Sequence, residues 1–180
     1  MPAWNNWYHI NGTTYGTWLP GDARGWREKN HRKHVDGDYK HPPPEGTGEK
    51  ILRRSKDLLK HPPVKLTKPQ RQCGGQALVE SLLNDNIELL SLSLDGVHYH
   101  FLARFPDHRV RYWTGRAKLH AYFALRSQFP VKELWTKLCA VRPIANREHQ
   151  LCVFEYILNR KNKGAWTWSF RERMYWGAQP

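Results

Sequence analysis

The sequence holds little of what would build a disulfide scaffold, a thiolate metal site or a membrane span. Its three cysteines, Cys73, Cys139 and Cys152, are odd in number, far apart and without a C-x-x-C pair. That excludes a disulfide framework and a cysteine-based zinc site, and it points to reduced thiols. No apolar run approaches the roughly 20 residues that cross a bilayer. The opening MPAWNNWYHI lacks the basic stretch and apolar core of a signal peptide. A soluble cytoplasmic protein with no membrane partner is the expectation. Glu148-His149 does not extend to H-E-x-x-H, which excludes a zinc protease. Acidic residues are scarce as well: 16 Asp+Glu stand against 29 Lys+Arg, a formal net charge of +13. Such an excess seeks a polyanion, nucleic acid before anionic membrane.

What is abundant is aromatic. Nine Trp and 39% hydrophobic residues in 180 exclude wholesale disorder and allow one domain with a real core. A basic, Trp-rich chain suits stacking on unpaired bases, although part of the Trp must fill the core. The cations concentrate in a Pro/Gly-punctuated insertion at about 23–65, within a single domain of 1–180. There Arg24, Arg27, Arg32 and Lys33 are candidates for phosphate contact, and Trp26 is a candidate for base stacking.

Along the chain, Trp4 to Trp18 reads as a strand ending at the turn Leu19-Pro20-Gly21-Asp22. Thr67 is an N-cap for a helix through Leu83 that stops at Asn84-Asp85-Asn86, with Gly74-Gly75 weakening its middle. Ile87–Leu94 and Val97–Phe105 read as a hairpin joined by Asp95-Gly96, a pair that favours a type I′ turn. That loop would set Ser93 opposite His98 and Ser91 opposite His100. It would also gather Leu90, Leu92, Leu94, Val97, Tyr99, Phe101 and Phe105 on one apolar face. A helix from Arg109 to about Ser127, an extended segment from Leu134 to Val141 and a helix from Asn146 to Arg160 follow. On the last helix Leu151, Phe154 and Leu158 form the apolar stripe, and Tyr156 falls about 140° from Leu151 on a polar side. The order indicates an α+β fold with an antiparallel sheet.

Two features carry chemistry. His98 and His100 project from one strand face opposite small serines, as either exposed strand histidines or a divalent-metal pair. Tyr156 is either a surface tyrosine or a nucleophile. A phenol with an ordinary pKa of about 10 needs help to attack, which Arg160 or a metal on the histidines would give.

Three segments in this order resemble the HUH single-tyrosine transposases, specifically the REP-associated tyrosine transposases and their insertion-sequence relatives. They are Tyr15-Gly16-Thr17-Trp18-Leu19-Pro20-Gly21-Asp22, Val97-His98-Tyr99-His100-Phe101, and Tyr156-Ile157, with 56 residues from His100 to Tyr156. The resemblance implies a ferredoxin-like antiparallel sheet with helices on one face. It implies Mg²⁺ or Mn²⁺ on His98 and His100, and Tyr156 attacking single-stranded or hairpin DNA to leave a 5′-phosphotyrosine. It further implies a nucleoid-associated location in a bacterium, and it admits a homodimer. The family commonly places an amide ligand four residues after the tyrosine. Here that position is Arg160, a residue also open to DNA contact, so Asn159 is the substitute third ligand, with His149 a further candidate. Two other readings stand beside this one: a domesticated nucleic-acid-binding protein without catalysis, and a relaxase or replication initiator. The small size and the lack of a second tyrosine or helicase disfavour the latter.

Overall fold

Both sides of the central strands are apolar, so both must be covered. Trp7 and Ile10 are buried with opposite strand parity, as are Phe101 and Leu102. The computed structural model describes residues 3–27, 34–36, 41–128 and 133–172. The chain divides into two compact units, Met1–Thr14 with Lys65–Pro180, and Tyr15–Val64.

The strands are β1 (Trp7–Thr13), β2 (Trp26–Arg27), β3 (His34–Val35), β4 (Glu88–Leu94), β5 (His98–Arg104), β6 (Ala140–Pro143) and β7 (Trp166–Ser169). The helices are α1 (Glu49–Asp57), α2 (Lys68–Asn84), α3 (Val110–Leu125) and α4 (Arg147–Asn159). In the smaller unit β2 pairs with β3, and α1 follows. In the larger unit five strands form an antiparallel sheet in the order β6-β1-β5-β4-β7. The α+β class and the antiparallel sheet expected from the sequence are both present.

One side of this sheet presents Ile10, Leu92, Leu94, Tyr99 and Phe101, all fully buried. The helices α2 and α3 cover it with Leu78, Leu82, Ala121 and Leu125. The other side presents Trp7 and Leu102 to Val153, Phe154 and Ile157 of α4. Helices therefore lie on both faces, a correction to the expectation of one. The cause is the double-sided apolar pattern of β1 and β5, which leaves neither side fit for solvent. No helix among the described residues is long and apolar enough to cross a membrane.

Other local expectations shift for identifiable reasons. The first strand starts at Trp7 rather than Trp4, because Asn5 and Asn6 take positive φ (49° and 58°) and turn the chain. It ends at Thr13, before the Tyr15–Val64 unit begins. The hairpin turns one residue later than Asp95-Gly96. The Asp95 carboxylate accepts the N–H groups of Val97 (2.8 Å) and His98 (2.6 Å), and Gly96 does not take the positive φ a type I′ turn demands. Leu94 thus pairs with Tyr99 and Ser93 with His100. A register shift between Leu89 and Ser91 moves Leu90 off the expected face and packs it against the Trp7–Phe154 cluster. The core stripe of α4 is Gln150, Val153, Phe154 and Ile157, and Leu151 is 48% exposed.

The helix α2 begins where expected. The Thr67 N–H donates to the Gln70 side chain at 2.9 Å, half of a capping box. Its glycines are not defects. A Cβ on Gly75 would lie 2.1 Å from the Trp166 ring and one on Gly74 2.9 Å from Leu125, so the pair lets α2 settle directly onto β7 and α3. We predict that Gly75→Ala destabilises the protein by about 1–3 kcal/mol in denaturant unfolding, although alanine favours an isolated helix by about 1 kcal/mol.

Candidate active site

The α4 side of the sheet carries a polar patch within its apolar cover. Strand alternation places His98 and His100 on that side, with Thr13 and Asn11 of β1 directly across from them and Ser93 of β4 opposite His100. His9, two residues before Asn11 on β1, leans onto His100. Their rings stack at 5.4 Å between centroids, and His9 Nε2 lies 3.1 Å from His100 Nδ1. Ser91 and Ser93 are fully buried, so they do not line an open space above the imidazoles.

Tyr156 reaches the same patch from α4. Its ring meets His100 and His9 edge-on, at 5.5 Å and 6.0 Å between centroids, and it stays 47% exposed. The sequence reading placed it off the core stripe, and it flanks the observed stripe. One turn later, Arg160 donates to the Tyr156 hydroxyl at 3.2 Å and forms an ion pair with Asp95. The same Asp95 lies 3.5 Å from His98 Nδ1. One carboxylate at the hairpin turn therefore touches the histidine strand and, through Arg160, the tyrosine.

Electrostatics follow burial. Desolvation, with Arg142, His149 and Arg160 nearby, lowers the His9 pKa to about 4. Desolvation and Arg160 push His100 lower still. Both imidazoles are neutral at neutral pH, the form in which histidine binds a metal. The hydrogen bonds to His98, Val97 and Arg160 hold the Asp95 carboxyl well below the usual carboxylate range, against its desolvation. A proton on His100 Nδ1, donated to His9 Nε2, would leave His100 Nε2 as its lone-pair nitrogen.

The third-ligand candidates fare differently. Asn159 is the exposed last residue of α4. His149 accepts the Ala145 N–H at 3.1 Å beside the Asn146 cap of that helix. Asn11 Oδ1 is a buried acceptor without a hydrogen-bond partner among the described residues, as are Ser91 Oγ and Ser93 Oγ. No three His, Cys, Asp or Glu side chains among the described residues gather as a metal site.

The DNA-contact candidates lie in the Tyr15–Val64 unit, apart from Arg160. Arg24 binds Asp22 in its own turn and lies 5.1 Å over the Trp18 ring. Trp26 and Arg27 form β2, and Trp26 is half-buried. Arg32 and Lys33 lie outside the described residues. Arg160 faces Asp95 and Tyr156 rather than open solvent. Sequence reasoning missed His9, Asn11 and the second role of Asp95. Their signal was the alternation W-x-H-x-N in β1, which becomes legible only once β1 is paired with β5.

The two depressed imidazoles make stability depend on pH. Their contribution is complete above the unfolded value of 6.5 and falls as pH drops toward 4, because the unfolded chain takes up protons that the native sites refuse. Between pH 7 and pH 5 the loss is about 2 kcal/mol per imidazole. Melting curves across that range should show a steep fall for the native chain and a shallower one for His100→Gln.

No family model matches the sequence, and no curated protein matches it. A solved structure of a REP-associated tyrosine transposase bound to a REP hairpin is similar, with a TM-score of 0.51 over 89% of this chain and 68% of that chain. The two are 11% identical, so the likeness is one of fold. The chain is thus an α+β protein distantly related in fold to a REP-associated tyrosine transposase.

Proposed function

We propose that this protein is a metal-dependent, single-tyrosine transposase that cleaves and rejoins single-stranded DNA at hairpin sequences. The observation that carries this reading is the meeting of Tyr156 with His100, with Arg160 on its hydroxyl. The similar fold of a hairpin-bound transposase supports it. So does the chain order β1-α2-β4-β5-α3-β6 with spatial order β6-β1-β5-β4, which fits the split βαβ plan of ferredoxin-like folds.

In this reading His98 and His100 hold Mg²⁺ or Mn²⁺. Their donor set fits: the Nδ1 atoms face Asp95 and His9, which hold the orientation of the rings. An ion bound there supplies charge neutralisation at the scissile phosphate. Mg²⁺ keeps water and phosphate oxygens as ligands, so two imidazoles suffice, with an oxygen donor from Asn159 or from the orphaned Asn11 Oδ1.

The protein's own groups do the rest. Arg160 stabilises the developing phenolate of Tyr156 by charge and hydrogen bond. The tyrosine oxygen bonds to phosphorus as the P–O3′ bond breaks. The phenolic proton leaves to solvent, and the 3′ oxygen takes one up as the free 3′-OH. The 5′-phosphotyrosine conserves the phosphodiester bond energy, so a second 3′-OH can reverse the step without ATP. In the Tyr15–Val64 unit, Arg24, Arg27 and Trp26, together with Arg32 and Lys33, add contacts to DNA.

The test is a hairpin-bearing oligonucleotide labelled at its 3′ end, the part a 5′-phosphotyrosine retains, incubated with Mn²⁺ and resolved on a denaturing gel. A covalent adduct is expected from the native chain, reduced by roughly a hundredfold or more in Tyr156→Phe. Binding of the hairpin with no adduct would favour a nucleic-acid-binding protein without catalysis. Calorimetric titration with Mn²⁺ should show binding lost in His98→Ala/His100→Ala. Whichever of Asn11→Ala and Asn159→Ala weakens it about tenfold or more identifies the oxygen donor.

A further inference from the structure

Three cations that answer to no carboxylate meet around one concavity in the larger unit. A cleft of about 430 Å³ is lined by Lys68, Arg71 and Gln72 of α2, by Lys161, and by Trp166 and Thr167 of β7. No acidic residue lines it. Four arginines of this unit do meet a carboxylate: Arg104 meets Glu88, Arg109 meets Asp107, Arg116 meets Asp85 and Arg160 meets Asp95. Among the described residues, Lys68, Arg71 and Lys161 have no such partner.

The cleft is built rather than incidental. Gly164 takes φ 79° and ends the 3₁₀ turn Arg160–Lys163, which prolongs the tyrosine helix. Arg71 pins that turn by donating to the Gly164 carbonyl, and it also donates to the Thr67 carbonyl at 3.3 Å. Trp166 rests on Gly75 and forms a wall. The positive end of the 17-residue helix α2 opens beside Lys68. Lys161 follows Tyr156 by five residues, on the order of 7 Å along a helix axis. The cleft is therefore joined to the tyrosine by one continuous helical segment.

We propose that this cleft is a phosphodiester subsite, which takes the backbone of the single-stranded DNA segment flanking the nucleotide attacked by Tyr156. The assignment of a flanking strand rests on the transposase reading. The volume accommodates a nucleotide unit rather than a lone ion. Binding a phosphate relieves the mutual repulsion of the three cations and releases counterions, so its contribution is sensitive to salt and indifferent to sequence.

The test measures fluorescence anisotropy in metal-free buffer with two probes, a hairpin carrying a single-stranded overhang and the same hairpin with a blunt end. The variants are Lys68→Ala/Lys161→Ala and a charge-matched control, Arg111→Ala/Arg126→Ala, at exposed positions on α3 and just after its end. Matching melting temperatures establish that both fold. For the overhang probe the cleft variant should bind on the order of tenfold more weakly, with a salt slope smaller by about 1.4 from two lost single-strand contacts. The control should change at most about twofold, and neither variant should alter blunt-hairpin binding by more than that. Equal losses in the two variants, equal losses on the two probes, or no loss would each overturn the subsite. The adduct assay is independent of this result. Overhang binding that depends on the cleft in a protein forming no adduct would keep the subsite and remove the tyrosine chemistry. An adduct with no cleft dependence would do the reverse.

Discussion

The candidate site depends on one carboxylate. Asp95 follows β4, and its Oδ1 accepts the N–H groups of Val97 and His98 while its Oδ2 pairs with Arg160 from beyond α4. The turn amides fix where β5 begins and hence which residues face α4. The ion pair, with both side chains only 16% exposed, fixes the end of the helix that carries Tyr156. A buried pair of this kind is costly to break from one side, because the remaining charge is left without solvent. Local turn chemistry and long-range helix placement are thereby the same interaction.

The sheet around it explains why polar groups survive in that position. On the α2/α3 side the strands bury a continuous apolar layer. On the α4 side the apolar cover runs over Trp7, Leu102, Ile144 and the stripe of α4, with Trp4, Leu90 and Leu158 at its margin. Beyond it the same strands present His9, Asn11, His98 and His100. The helix thus shields one part of the strand face and delivers a tyrosine to the next.

Much of this was legible from sequence where the signal was local. Thr67 capped its helix, the helix with Tyr156 lay where periodicity placed it, and the paired histidines shared a strand face. What escaped was set by partners far along the chain. The hairpin register depended on an aspartate side chain competing with the backbone turn preferred by Asp-Gly. Leu151 was expected inward because it is leucine. The observed stripe follows Gln150 and Val153 instead, because the sheet meets α4 from that direction. His9 stood 91 residues from His100, and no spacing rule links such a pair before strands are matched. Gly74-Gly75 looked like helix-weakening residues, yet they are the contact that seats the helix on its neighbours.

The constellation of His9, His98, His100, Asp95, Tyr156 and Arg160 comes from a single polypeptide, with Arg160 joining the tyrosine to the hairpin of its own chain. On the proposed reading each chain would carry all of its own centre, so mixing a copy stripped of its histidines with one stripped of its tyrosine would restore no activity.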